Sequence, residues 1–168
     1  MLRFRPYKAC DAATIVSWIG DEVAFRKWCA DRFPSYPITA EDLNRHYDAM
    51  SDSDSLYPFT AYDETGMVGH MILRFTDPEK TVLRFGFVIV DNQKRGKGYG
   101  KEMLTRATRY AFDFLKAEKI TIGVFENNEP AYRCYLAVGF RDIPLDWPEF
   151  YHILNEEWKC LELEMTRP

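Results

Sequence analysis

A chain of 168 residues, 46 % apolar and 29 % charged, can bury a core of its own, and one domain over residues 1–168 is expected. Its formal net charge of −4 speaks against nucleic acid as a partner, because phosphate binding calls for a basic excess. No run approaches the ~20 apolar residues of a membrane span, and Met1–Cys10 carries basic residues without a signal peptide's apolar stretch, so the expectation is no membrane and a cytoplasmic address. Cys10, Cys29, Cys134 and Cys160 are scattered without CxxC or metal spacing and read as reduced, mostly buried thiols, with no metal site.

Along the chain, Leu2 to Tyr7 alternates apolar and basic residues and predicts a short edge strand. Asp11 to about Ala30 turns helical, with Ile15, Trp18 and Ile19 on one face, a break near Gly20 and a second piece from Val23 to Cys29. Thr39, with Asp42 three residues on, caps a further helix whose stripe is Leu43, Tyr47 and Met50. The period then changes to two. Tyr57 to Asp63 and Met67 to Phe75 flank Glu64-Thr65-Gly66 as a hairpin, and Asp77 to Lys80 turns into a third strand, Thr81 to Asp91. That strand is apolar from Phe85 to Val90, as a central strand should be.

Tyr99 to Lys116 is the clearest helix, with Tyr99, Met103, Ala107, Tyr110, Ala111, Phe114 and Leu115 expected on its buried face. Ile120, Ile122 and Val124 mark a buried strand. Asn128 as N-cap, Pro130 in the first turn and Gly139 as stop frame one more helix, and Phe140 to Leu145 and Trp158 to Met165 read as the last two strands. This order gives an α/β mixed sheet whose central pair is parallel, because a crossover helix joins them.

The turn Asp91-Asn92-Gln93-Lys94-Arg95-Gly96-Lys97-Gly98-Tyr99-Gly100 links the central strand to the longest helix. Its glycines remove the Cβ atoms that would keep an anion from backbone N–H groups, and the helix start adds unpaired donors and partial positive charge. Lys94, Arg95, Lys97 and Lys101 surround it, so it reads as a pyrophosphate cradle. The dinucleotide pattern GxGxxG fails at Lys101, and no P-loop spacing fits. Without a ligand it is a glycine-rich turn with a solvated basic surface.

Gln93-x-x-Gly96-x-Gly98, followed by Asn128-Glu129-Pro130-Ala131 and then Tyr135 with Gly139-Phe140, resembles the two hallmark motifs of the GNAT superfamily of N-acetyltransferases, in the right order and on the right elements. The likeness is good from Tyr57 to Phe140 and extends to the branch acting on ribosomal proteins and small amines. It implies a mostly antiparallel central sheet with a splayed parallel pair, flanked by helices. It implies acetyl-CoA as donor and a primary amine as acceptor, either a small molecule or a protein N-terminus, in a monomer or homodimer.

By the same resemblance, Val88, Ile89 and Val90 offer backbone groups to the pantetheine arm, and one of their N–H groups polarises the thioester. Arg95, Gly96, Lys97, Gly98, Tyr99, Gly100 and Lys101 form the pyrophosphate loop, and Asn128 contacts the cofactor arm. Tyr135 matches the tyrosine that protonates the departing thiolate. Read without the family, Tyr135 is a core aromatic at helical spacing, with Tyr132 one turn away as its rival.

The chain departs from the family at the base. Relatives carry a glutamate on the central strand where Leu83-Arg84-Phe85 stands here, and an arginine cannot accept a proton. His70 and Glu126 are the candidate bases, or the enzyme takes amine that is already neutral. Arg84 and Arg74 are either solvated strand residues or partners for an anionic part of the acceptor. Pro144 to Trp158 mixes aromatic and acidic residues, and reads either as a wall for a cationic amine or as a packing or dimer loop. Direct transfer in a ternary complex stands beside a non-catalytic acyl-CoA sensor and a plain nucleotide-binding domain.

Overall fold

The computed structural model describes residues 1–168 and is built on one eight-stranded sheet. In chain order the elements are β1 (Arg3–Pro6), α1 (Ala12–Ser17), α2 (Glu22–Cys29), α3 (Ala40–Asp48), β2 (Leu56–Asp63), β3 (Gly66–Phe75), β4 (Val82–Val90), α4 (Tyr99–Asp113), β5 (Lys119–Phe125), α5 (Glu129–Val138), β6 (Arg141–Asp142), β7 (Glu149–Ile153) and β8 (Glu156–Thr166). The strand order is β1-β2-β3-β4-β5-β8-β6, with β7 paired to β8 as well. Every pairing is antiparallel except β4 with β5, which α4 connects as a crossover. The α/β mixed sheet with one parallel pair is therefore as expected.

Two apolar layers cover the sheet. On one face α4 and α5 pack on Leu83, Phe85, Ile120 and Ile122; on the other α1–α3 pack on Ile72, Phe87 and Ile89. Strand β4 serves both layers because its alternation is broken. His70 pairs with Ile89 but Ile72 pairs with Gly86, so β4 holds an extra residue there, and Phe87 sits at φ 48°. Such a bulge re-aims side chains, here sending Phe85 to one layer and Phe87 to the other.

Local chemistry sets most boundaries. Thr39 and Asp42 form a reciprocal capping box at α3, with Asp42 N donating to Thr39 Oγ1 at 3.1 Å and Thr39 N donating to the Asp42 carboxylate at 2.9 Å. Gly139, at φ 120°, ends α5.

Three expectations are corrected. Helix α4 stops at Asp113, and Phe114 is exposed while Leu104, Thr108 and Phe112 are buried; Lys116 at φ 60° ends the helical path, so the stripe is rotated from the expected one. Asn128 stands at the N-cap position of α5 without a side-chain cap bond. The C-terminal region holds three strands rather than two, because Leu154 and Asn155, both at positive φ, fold β7 back on β8 as a tight hairpin, while the first expected strand shrinks to β6.

Asp11 ties the N-terminal layer to the sheet. It is 2 % exposed, and its carboxylate accepts from the Arg5 guanidinium at 2.7 and 2.8 Å, from Thr60 Oγ1 at 2.7 Å and from Lys8 N at 2.9 Å. Burial would raise its pKa, but these donors outweigh it and hold the group at about 2. Asp11→Ala strands all of them, and urea unfolding is expected to show a loss of about 2 kcal/mol or more.

Candidate active site

Pairing of β4 with β5 ends at Phe85 and Ile122, so beyond that point the β5-facing edge of β4, Val88–Val90, has no strand partner. At the end of this opening Asp91 accepts from Gln93 N at 2.9 Å and starts the loop. Gly96 (φ 74°) and Gly98 (φ 85°) are left-handed, and a Cβ on either would enter open space. A side chain there would be strained by backbone and would fill the hollow in front of the α4 N-terminus. Arg95, Lys97 and Lys101 are exposed around it. Lys94 is not free: it is held by Thr65 and by Asp63 at 3.7 Å. The Tyr99 hydroxyl also donates to Asp63, at 2.7 Å, so that side chain anchors the loop to the β2–β3 hairpin rather than facing an anion.

The other side of the opening is α5. Tyr135 is 7 % exposed and packs on Phe140 at 6.3 Å. The fully occluded polar side-chain atoms without partners are Trp28 Nε1 and His70 Nδ1; the Tyr135 hydroxyl also makes no bond within the protein and so keeps some solvent contact. Burial, then the neighbouring Cys134, raises its pKa well above the usual phenol range, so it stays protonated. Its rival Tyr132 is engaged elsewhere, donating to Asp142 at 2.8 Å. Cys134 lies beside Gly100, and burial raises its pKa, which weakens it as a nucleophile. Asn128 is half-buried just past β5, its backbone N–H given to Phe125 O at 2.8 Å.

The candidate bases differ sharply. His70 is 0 % exposed, wedged between Tyr7 and Tyr47, with Nε2 2.6 Å from the Tyr47 hydroxyl. Burial lowers its pKa to about 4, with the Phe59 backbone and Asp11 pulling weakly the other way. A sealed, neutral imidazole has no path to an acceptor, which corrects the expectation that its ordinary pKa would suit it. Glu126 is 61 % exposed at the end of β5, near Lys159 at 3.6 Å.

On the α1–α3 side of the opening lies a cavity of about 470 Å³. Trp28, Phe87, Phe125 and Tyr151 supply aromatic walls; Lys27, Arg32, Arg74 and Arg84 are its charged lining residues. Arg84 makes a two-pronged ion pair with Glu162 at 2.8 and 2.9 Å, lying across Gly123, where a Cβ would come within 2.6 Å of Arg84 Nη2. No sequence pattern announced this pair, since its partners are 78 residues apart. The acids of the C-terminal loop do not wall the cavity. Glu157 pairs with His152, Glu156 accepts from Trp158 Nε1, and Glu149 accepts from Tyr151.

The chain matches the acetyltransferase (GNAT) domain family over residues 1–141 and belongs to that family. It is 36 % identical over 52 residues to a spermine/spermidine N(1)-acetyltransferase of Bacillus subtilis, a match covering 31 % of this chain and 34 % of that protein. A prophage-derived N-acetyltransferase of the same organism is 27 % identical over 106 residues, covering 62 % of this chain and 59 % of the relative. The chain thus spans from about a third to under two thirds of these curated relatives. The fold superposes on the spermidine N-acetyltransferase of Vibrio cholerae, solved with CoA and spermine, with a TM-score of 0.83 at 20 % identity over 98 % of this chain and 95 % of that one. No helix is long and apolar enough to cross a membrane.

The sign of the His70 effect is fixed by its lowered pKa. Between about pH 6.5 and pH 4 the unfolded chain takes up a proton that the folded one refuses, so stability falls across that window. The loss approaches roughly 3 kcal/mol by pH 4, and urea midpoints from pH 7 to 4 should show it, with a flatter slope in His70→Gln.

Proposed function

We propose that residues 1–168 form one acetyltransferase domain that moves an acetyl group from acetyl-CoA to a primary amine, of a small molecule or a protein N-terminus, by direct attack in a ternary complex. The observation that carries this reading is the left-handed glycine cradle at the end of the unpaired β4 edge, and the buried Tyr135 of α5, whose hydroxyl makes no bond within the protein, supports it. The donor supplies an acyl group already activated as a thioester.

Arg95, Lys97 and Lys101, with the backbone from Gly96 to Gly100, would hold the pyrophosphate. The unpaired edge at Val88–Val90 would receive the arm as an added strand, and a backbone N–H there would face the acyl oxygen. Asn128 would bind the arm from the β5 side. Tyr135 holds its proton at neutral pH and would deliver it at the departing sulfur. With His70 sealed, the amine's proton would go to Glu126 or to water, or the amine would enter neutral. Cys134, kept protonated by burial, supports attack without an acetyl-enzyme.

Calorimetric titration with acetyl-CoA should show binding that Gly98→Glu abolishes, since a strained, anionic side chain would stand in the cradle. No binding by the parent would overturn the reading. In steady-state assays Tyr135→Phe is expected to lower kcat by about 10²-fold or more with acetyl-CoA affinity unchanged. Intact acetyl-CoA binding without transfer to any amine would favour a sensing role instead.

A further inference from the structure

The cavity beside the opening is cationic in a chain whose net charge is −4. Four of its lining residues are Lys or Arg, and none is Asp or Glu. Two of them face each other directly: Arg74 on β3 pairs in register with Arg84 on β4. Like charges directly opposite on adjacent antiparallel strands repel, and water or an anion beside them relieves that repulsion. Glu162 supplies that anion for Arg84, from the far side, through both guanidinium nitrogens. Arg74, on the exposed part of the wall, has no carboxylate within ion-pair distance, and its pKa is lowered first by partial burial and then by Arg84 and Arg32.

A second cation of the wall is also weakly compensated. Arg32 has only its exposed sequence neighbour Asp31, at 3.0 Å. A polyamine, carrying several positive charges, would meet like charge in this cavity. A molecule with a carboxylate or a phosphonate would complete it, as Glu162 completes Arg84. The same cavity is lined by Phe87 on β4 and Phe125 on β5, the two strands that part beside it, and by Tyr151.

We propose that the acceptor is a primary amine that also carries an anionic oxyacid group, and that Arg74 is the specificity-determining residue that binds that group. This rests on the transferase reading, because the cavity is taken to be the acceptor's. The amine nitrogen lies towards the opening and the anion towards β3, so Arg74 touches the substrate away from the reacting atoms. Its contribution belongs in acceptor affinity and not in the acyl-transfer step.

Matched acceptors that differ only by a carboxylate test this: ornithine against putrescine, and phenylalanine against phenethylamine. Transfer is measured as kcat/KM for each, and each is also titrated calorimetrically into the protein without donor. The carboxylate-bearing member of each pair should be preferred by about tenfold or more, the usual cost of losing a charge-assisted contact. Arg74→Ala should erase the preference by raising KM with kcat nearly constant, and Arg74→Glu should turn it towards the amine without a carboxylate. Acetyl-CoA affinity serves as the folding control for both variants.

A carboxylate preference in binding without any transfer would overturn the transferase reading and leave the anion site standing. Transfer with equal or reversed preference within the pairs would overturn the anion site and leave the transferase reading intact. A preference that survives Arg74→Ala, or the absence of binding by every member, would also overturn it.

Discussion

Strands β4 and β5 stay hydrogen-bonded only from Val82 to Phe85 and then part, and the bulge at Gly86–Phe87 is the physical cause. The extra residue shifts the pleat of β4, so that Phe87 and Ile89 turn to the α1–α3 layer while Leu83 and Phe85 remain under α4 and α5. A strand that serves two cores cannot keep a straight partner along its whole length. The gap exposes backbone donors and acceptors in the middle of a sheet, where normally every one is paired. The cradle follows the unpaired end of β4, and the cavity under α2 is lined by residues of both strands where they part.

Charge is sorted around the opening. The loop from Arg95 to Lys101 gathers cations at a helix N-terminus, where they add to the backbone's own positive end. The cavity on the opposite layer gathers cations again, and one of them, Arg84, is neutralised by Glu162. Gly123 leaves room for that pairing, since a Cβ there would come within 2.6 Å of Arg84 Nη2 and 3.0 Å of Glu162 Oε1. Where the resemblance leads one to expect a strand carboxylate, this chain carries an arginine already paired with Glu162.

Buried polar groups show how the environment overrides residue type. His70 and Asp11 both lie within the N-terminal layer, yet Asp11 stays ionised and His70 neutral. Asp11 has four donor contacts to offset its burial, while His70 has one tyrosine hydroxyl and an unsatisfied Nδ1. An isolated charge in a dry setting is costly; a fully bonded one is not. That difference removes His70 from the chemistry and makes Asp11 part of the scaffold.

By itself the sequence determined what depends on local or periodic rules: the capped helix at Thr39, the hairpin around Glu64, the glycine cradle, the crossover helix and hence the parallel pair. Two short motifs and their spacing were enough to bring the family into view, because glycine positions and a helix start follow from neighbours in the chain. Tertiary structure decided the rest. The end of α4 and the β7–β8 hairpin turn on backbone at positive φ in Lys116, Leu154 and Asn155, which carry no glycine signal. The sealing of His70 needed Tyr47 and Tyr7 from distant segments, and the neutralising of Arg84 needed Glu162 from a strand across the sheet. The electrostatic character of the cavity is a sum over Lys27 of α2, Arg32 beyond it, Arg74 of β3 and Arg84 of β4, with Glu162 of β8 behind, that no stretch of sequence holds together. Coulomb interactions depend on distance in space, and only folding sets that distance.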